Sequence, residues 1–154
     1  MAKESKQDDP DYRARSTALR LLARREHSRS ELALKLRQRD IPSATIDSVL
    51  DDYEQEGWLS DERFADVFAR QKMDQGYGPL KIEADLQQKG VCRMPECLQS
   101  IPEEVWVERA AEARIKRFGK VLPRNLSEKA RQFRFLARRG FTSAQANGAF
   151  CLQD

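Results

Sequence analysis

Apolar side chains recur at helical spacing along almost the whole chain. Ala14, Ala18, Leu21 and Leu22 share one face of a helix expected to run to about Glu26. Leu32 and Leu36 mark a second helix. Ser28-Arg-Ser-Glu31 reads as its capping box, with Glu31 reaching back to the cap. After Ile41-Pro42, the residues Ile46, Val49, Leu50 and Tyr53 predict a third helix that stops at Gly57. Ser60 is the expected cap of a fourth, with Asp61 and Glu62 at its positive end and Leu59 and Phe64 placed as a hydrophobic staple. Gly78-Pro79 opens a fifth, since proline suits the first helical position. Further helices are expected over Trp106–Phe118, over Ser127–Arg139 and from Thr142. No stretch alternates apolar and polar residues long enough to predict a strand.

The helices repeat. Leu36-Arg-Gln-Arg-Asp-Ile41, Leu86-Gln-Gln-Lys-Gly-Val91 and Leu136-Ala-Arg-Arg-Gly-Phe141 lie in one 50-residue register. That register aligns Arg39, Lys89 and Arg139. It also puts Asp40, Gly90 and Gly140 where a helix ends in a left-handed residue. Ile46, Val49 and Leu50 correspond in turn to Ala146, Ala149 and Phe150. The expected fold is therefore all-α: three tandem three-helix units, residues 12–58, 59–101 and 102–154, stacked as an elongated, curved solenoid behind a disordered tail at 1–11. The alternative is coincidence, because leucine is common and helices often end in glycine.

Charge changes the picture more than composition does. The net charge of +3 conceals blocks. Residues 13–39 carry nine basic and two acidic side chains, whereas 40–75 carry three and ten. Residues 76–108 carry three and six, and 109–154 carry eleven and three. Arg131, Arg134 and Arg138 fall on one helical stripe beside an expected core stripe of Ala130, Phe133 and Ala137. Arg13, Arg20 and Arg24 form a similar basic stripe, and Lys35 with Arg39 another. Basic faces with few acids among them suit a polyanion such as a phosphate backbone. The alternative is that these cations only solvate helix faces. Asp51, Asp52, Glu54 and Glu56 point in different directions and read as a solvated face, or one that meets a basic protein surface.

Candidate chemistry is sparse. Three cysteines without a C-x-x-C pair and a single His27 supply no zinc site, and free thiols are expected. There is no G-x-S-x-G and no phosphate loop of the G-x-x-x-x-G-K-[ST] type. No catalytic residue, cofactor or metal is therefore expected. Tyr77, between two glycines, is expected to pack against Ile82. With no signal-like start and no apolar run near the ~20 residues that span a bilayer, a cytosolic protein is expected.

Gly57-Trp-Leu-Ser-Asp-Glu-Arg-Phe-Ala65 and Gly76-Tyr-Gly-Pro-Leu-Lys-Ile-Glu-Ala-Asp-Leu-Gln-Gln-Lys-Gly-Val91 resemble the central signature of the RecX regulators. Leu22-Ala-Arg-Arg-Glu-His-Ser-Arg-Ser-Glu-Leu32 resembles the first unit of that family. The likeness runs from about Tyr12 to Phe150 and is loosest over Lys116–Arg131. It implies three helix-turn-helix-like repeats. It also implies a non-enzymatic activity: binding RecA-type recombinase filaments on DNA and restraining ATP hydrolysis and filament growth in repair and recombination. The implied partners are the filament, the single-stranded DNA within it and, weakly, bare DNA. The signature residues Gly57, Trp58, Phe64, Tyr77, Gly78 and Pro79 read as caps, staples and core. Filament or DNA contact falls to Arg20, Arg24, Arg25, Arg29, Lys35, Arg39, Arg131, Arg134 and Arg138. The rival reading is a stand-alone DNA-binding protein. Base readout favours Asn and Gln beside Arg, and the chain has only Asn125 and Asn147.

Overall fold

The computed structural model describes residues 8–152, so the expected tail falls largely outside the described residues. The described residues form nine helices and no strand. They are α1 (Pro10–Arg24), α2 (Arg29–Arg37), α3 (Ser43–Gln55), α4 (Asp61–Asp74), α5 (Pro79–Gln88), α6 (Glu96–Gln99), α7 (Glu103–Phe118), α8 (Leu126–Arg138) and α9 (Ser143–Gly148). Helix α1 includes Pro10 and Asp11, which the sequence pattern leaves in the tail. Asp9 accepts from the Asp11 N–H as its cap, and Pro10 presets the first turn.

Two compact bodies make up the chain. The first comprises residues up to Val67 together with Lys89–Val91, and the second Phe68–Gln88 together with Cys92 onward. In the first, α1, α2 and α3 enclose Ala14, Ala18, Leu32, Leu36, Ile46, Val49 and Leu50. Burying a leucine of this kind contributes about 1.5–3 kcal/mol. Tyr53 closes the core by donating its hydroxyl proton to Arg15 O at 3.0 Å. In the second body α7, α8 and α9 pack together around Trp106, Ala110, Leu136, Phe141, Ala146 and Ala149. Arg114 is 2% exposed there and forms no ion pair among the described residues. Its Nε donates to Ala149 O at the end of α9 (3.4 Å), its Nη1 to Gln132 Oε1 (3.5 Å), and Phe150 lies beneath it. Burial lowers its pKa, but the last carbonyls of a helix are a favourable place for a cation.

The 50-residue register is a packing rule. Asp40, Gly90 and Gly140 all take positive φ, 59°, 78° and 96°. In the first body Ser28 Oγ donates to Lys89 O at 2.7 Å, and a Cβ on Gly90 would lie 2.1 Å from Ser30 Oγ. Fifty residues on, in the second body, Gly78 N donates to Arg139 O (2.8 Å) and Leu80 N to Gly140 O (2.9 Å). A Cβ on Gly78 would lie 2.5 Å from the Gly140 carbonyl carbon. Each junction joins the start of a second helix to the end of the corresponding helix one repeat later. At the second junction backbone donors orphaned at a helix start meet acceptors orphaned at a helix end, whereas at the first a serine hydroxyl is the donor.

Candidate nucleic-acid interface

Helix α8 carries the arginine stripe of the second body. Asn125 caps it, accepting from Glu128 N at 2.8 Å. Its buried positions are Gln132 and Leu136, so Ala130 and Ala137 are exposed and Phe133 only partly buried. The core stripe is thus rotated from the one the sequence predicts. Gln132 can be buried because it links Arg114 to Glu128, donating to Glu128 Oε1 at 3.2 Å. Arg131, Arg134 and Arg138 remain exposed as expected. They are not equivalent. Arg131 is held by both Glu128 oxygens (3.0 and 3.3 Å) and lies over Phe118 at 5.1 Å. Arg134 and Arg138 form no ion pair among the described residues.

In the first body most of the expected contact residues serve the fold. Arg29 pairs with Asp51 at 2.7 Å and Glu54 at 3.1 Å, while its own N–H donates to Asp61. Burial lowers the Arg29 pKa, but the two carboxylates outweigh it and raise it overall. Arg25 pairs with the buried Glu31 at 2.7 Å. Glu31 does not complete the capping box: Ser28 accepts from the Glu31 N–H, but the Glu31 carboxylate turns to Arg25 and Lys89. Burial raises its pKa, yet Lys89 and Arg25 win and hold it below its ordinary value.

His27 is 1% exposed. Its Nδ1–H donates to Arg25 O (3.0 Å), and Nε2 accepts from Lys35 Nζ at 2.9 Å. Burial and the neighbouring cations lower the pKa of the imidazole, and burial lowers that of Lys35. Arg39 is exposed, but its Nη1 is engaged by Lys35 O and its carbonyl by Arg13. Arg20 and Arg24 stand exposed on α1 without an ion pair among the described residues. The acidic run is not simply solvated: Asp51 and Glu54 hold Arg29, and Asp52 holds Arg15 at 2.7 Å.

The signature residues divide as well. Gly57 is left-handed after α3, Phe64 is buried, Gly78 sits at the second junction and Pro79 opens α5. Trp58 is not core. It is 49% exposed and meets Tyr53 edge-on at 5.2 Å. The ring of Tyr77 lies beside two cations, Lys72 Nζ at 5.1 Å and the Arg139 guanidinium at 5.0 Å.

Sequence reasoning passed over Arg109, Lys116, Arg117 and Arg139, which line a cleft in the second body. The signal was present. Arg109, Glu112, Ala113, Lys116 and Arg117 share one helical face, and Arg139 stands in register with Arg39 and Lys89. Among the described residues no group of three or more His, Cys, Asp or Glu could hold a metal, and no helix is long and apolar enough to cross a membrane.

Tandem three-helix units joined end to start define a helical-repeat protein. Family models described as the first, second and third three-helix domains of RecX match residues 14–52, 60–93 and 103–150. The chain belongs to the RecX family of regulatory proteins. It is 42% identical to a regulatory protein RecX of Halorhodospira halophila, over 91% of this chain and 88% of that protein. It is 43% identical to one of Pseudomonas entomophila, over 87% of each. The crystal structure of RecX from Lactobacillus salivarius has the same fold (TM-score 0.76, 22% identity, 92% of this chain and 94% of that one). So has a further crystal structure of regulatory protein RecX (TM-score 0.78, 22% identity, 96% and 79%).

Proposed function

We propose that this protein binds the filament a RecA-type recombinase forms on DNA and restrains its ATP hydrolysis and growth, with no catalysis of its own. The observation that carries the reading is a pair of unpaired arginines on an exposed face in each body, Arg20 with Arg24 and Arg134 with Arg138, in a chain of a regulatory family. Arg25, Arg29 and Arg131 are held by carboxylates, whereas these four guanidiniums form no ion pair among the described residues and are open to phosphates of the filament's DNA. Restraint follows if the protein binds one conformation of the filament better than another, because a ligand shifts a population only by its differential affinity.

The test is recombinase ATPase on single-stranded DNA, titrated with this protein. Substoichiometric protein lowers the rate, and the protein alone hydrolyses no nucleotide. An unchanged rate at excess protein sinks the reading. Equal binding to bare and to recombinase-coated DNA would favour a stand-alone DNA binder. The scarcity of asparagine speaks against that rival: Asn125 is spent as a helix cap.

A further inference from the structure

The second body contains a cleft of about 440 Å³, walled by the end of α4 with Gly76, one face of α7, and Phe135 and Arg139 at the end of α8. Four cations line it, Arg109, Lys116, Arg117 and Arg139, with two carboxylates, Asp74 and Glu112. None of these six forms an ion pair among the described residues, although carboxylates elsewhere in the chain hold their partners at 2.7–3.1 Å. Arg109 is left incomplete. Its Nη1 reaches Met73 O at 3.4 Å, and its buried Nε has no hydrogen-bond partner. Arg139 is preset: its guanidinium lies over Tyr77 and Phe135, and Nη1 donates to Gln75 O at 3.3 Å.

Buried polar groups are ordinarily satisfied, so an unpartnered Arg N–H beside three further cations marks a place for acceptor oxygens. Three guanidinium forks favour phosphate over a point anion. The volume lies in the range of small-molecule sites and leaves room beyond one phosphate. Phe135 and Met73 supply an apolar wall for the rest, and Asp74 an acceptor for a hydroxyl.

We propose that this cleft binds a nucleoside phosphate, its phosphate oxygens on Arg109, Lys116, Arg117 and Arg139 and its ring portion along Phe135 and Met73. The proposal stands apart from the filament reading, because the cleft can be assayed without recombinase. A free nucleotide and a nucleotide within a strand present the same chemistry. The experiment separates them.

The full chain, carrying Arg134→Ala and Arg138→Ala to silence the outer face, is titrated by calorimetry with ATP, ADP, inorganic phosphate and a short oligothymidylate. ATP or the oligonucleotide should bind at one site per chain, at least tenfold more tightly than inorganic phosphate. Binding of ATP identifies a free nucleotide, and binding of the oligonucleotide alone identifies a strand. Adding Arg109→Gln with Arg117→Gln should weaken that binding at least tenfold with unchanged circular dichroism. Glu112→Gln removes a carboxylate lodged among the cations and should tighten it several-fold, which keeps the test open if the arginine variant misfolds. Binding no tighter than that of phosphate, an unaffected arginine variant, or weaker binding by Glu112→Gln would each overturn the proposal.

Discussion

The two bodies treat the same ingredients differently. In the first, the basic α1 and α2 face the acidic α3 and the start of α4, and Arg15–Asp52, Arg29–Asp51 and Arg63–Glu26 all lie within 2.7–2.9 Å. Its junction uses serine side chains, Ser28 on Lys89 O and Ser30 beneath Gly90. In the second, most cations form no ion pair among the described residues, and the junction is backbone against backbone at Gly78 and Gly140. The first body uses several carboxylates to hold its own cations, and leaves Arg20 and Arg24 without an ion pair among the described residues. The second closes tightly on glycine and leaves most of its cations without an ion pair among the described residues. A basic block in a sequence therefore leaves free cations only where folding brings no carboxylates to it.

The junctions give the sharpest way to break this comparison. Gly78→Ala sets a methyl 2.5 Å from backbone that cannot move independently, and should cost roughly 3 kcal/mol or more. Gly90→Ala meets Ser30, whose Oγ can rotate away but whose Cβ, 2.6 Å from the new methyl, cannot, and its left-handed conformation adds about 1–2 kcal/mol to that clash. Urea denaturation of the two variants measures the gap. Equal losses would erase the distinction between the junctions.

The charges come next. Arg134→Ala with Arg138→Ala should remove about 1.4–1.8 from the log–log salt slope of filament or DNA binding, close to one contact per arginine. Arg29→Ala should leave that slope unchanged and instead cost about 1 kcal/mol of stability, because its partners are 69% and 45% exposed and solvent screens the pairs. A slope that falls for Arg29→Ala and not for the α8 pair would invert the assignment.

Acid should weaken the first body. With the folded pKa of His27 below its ordinary 6.5, the unfolded chain takes up a proton there that the folded one refuses. Stability is full above pH 6.5 and falls as the pH drops below it. Glu31, held below 4.5, adds a second loss at lower pH as its carboxylate is protonated away from Arg25 and Lys89. His27→Gln should flatten the limb between pH 6.5 and 5, read as denaturant midpoints. An unchanged limb would remove His27 from the account.

The smallest effect belongs to Asp40, which holds φ 59° where the other two repeats have glycine. Asp40→Gly should stabilise by up to about 1 kcal/mol, measured by the same denaturation. A loss would mean that the Asp40 side chain contributes more than its backbone strain costs.

The sequence alone determined what depends on near neighbours in the chain. Helix starts at Ser28, Ser60 and Pro79, left-handed ends at Asp40, Gly90 and Gly140, and the 50-residue register all follow from turn and cap chemistry within a few residues. The motif at Thr142–Gln145 was equally local, a complete capping box. Tertiary structure decided what depends on distant groups. It turned Gln132 inward in place of Ala137, because Arg114 and Glu128 offered that amide partners no helical wheel contains. It drew Glu31 away from its cap to Lys89, placed Tyr77 beside Arg139, and divided nine candidate cations into those already paired and those still free. Spacing along a helix sets which way a side chain points, whereas the charge it meets there comes from residues tens of positions away, which only packing brings near.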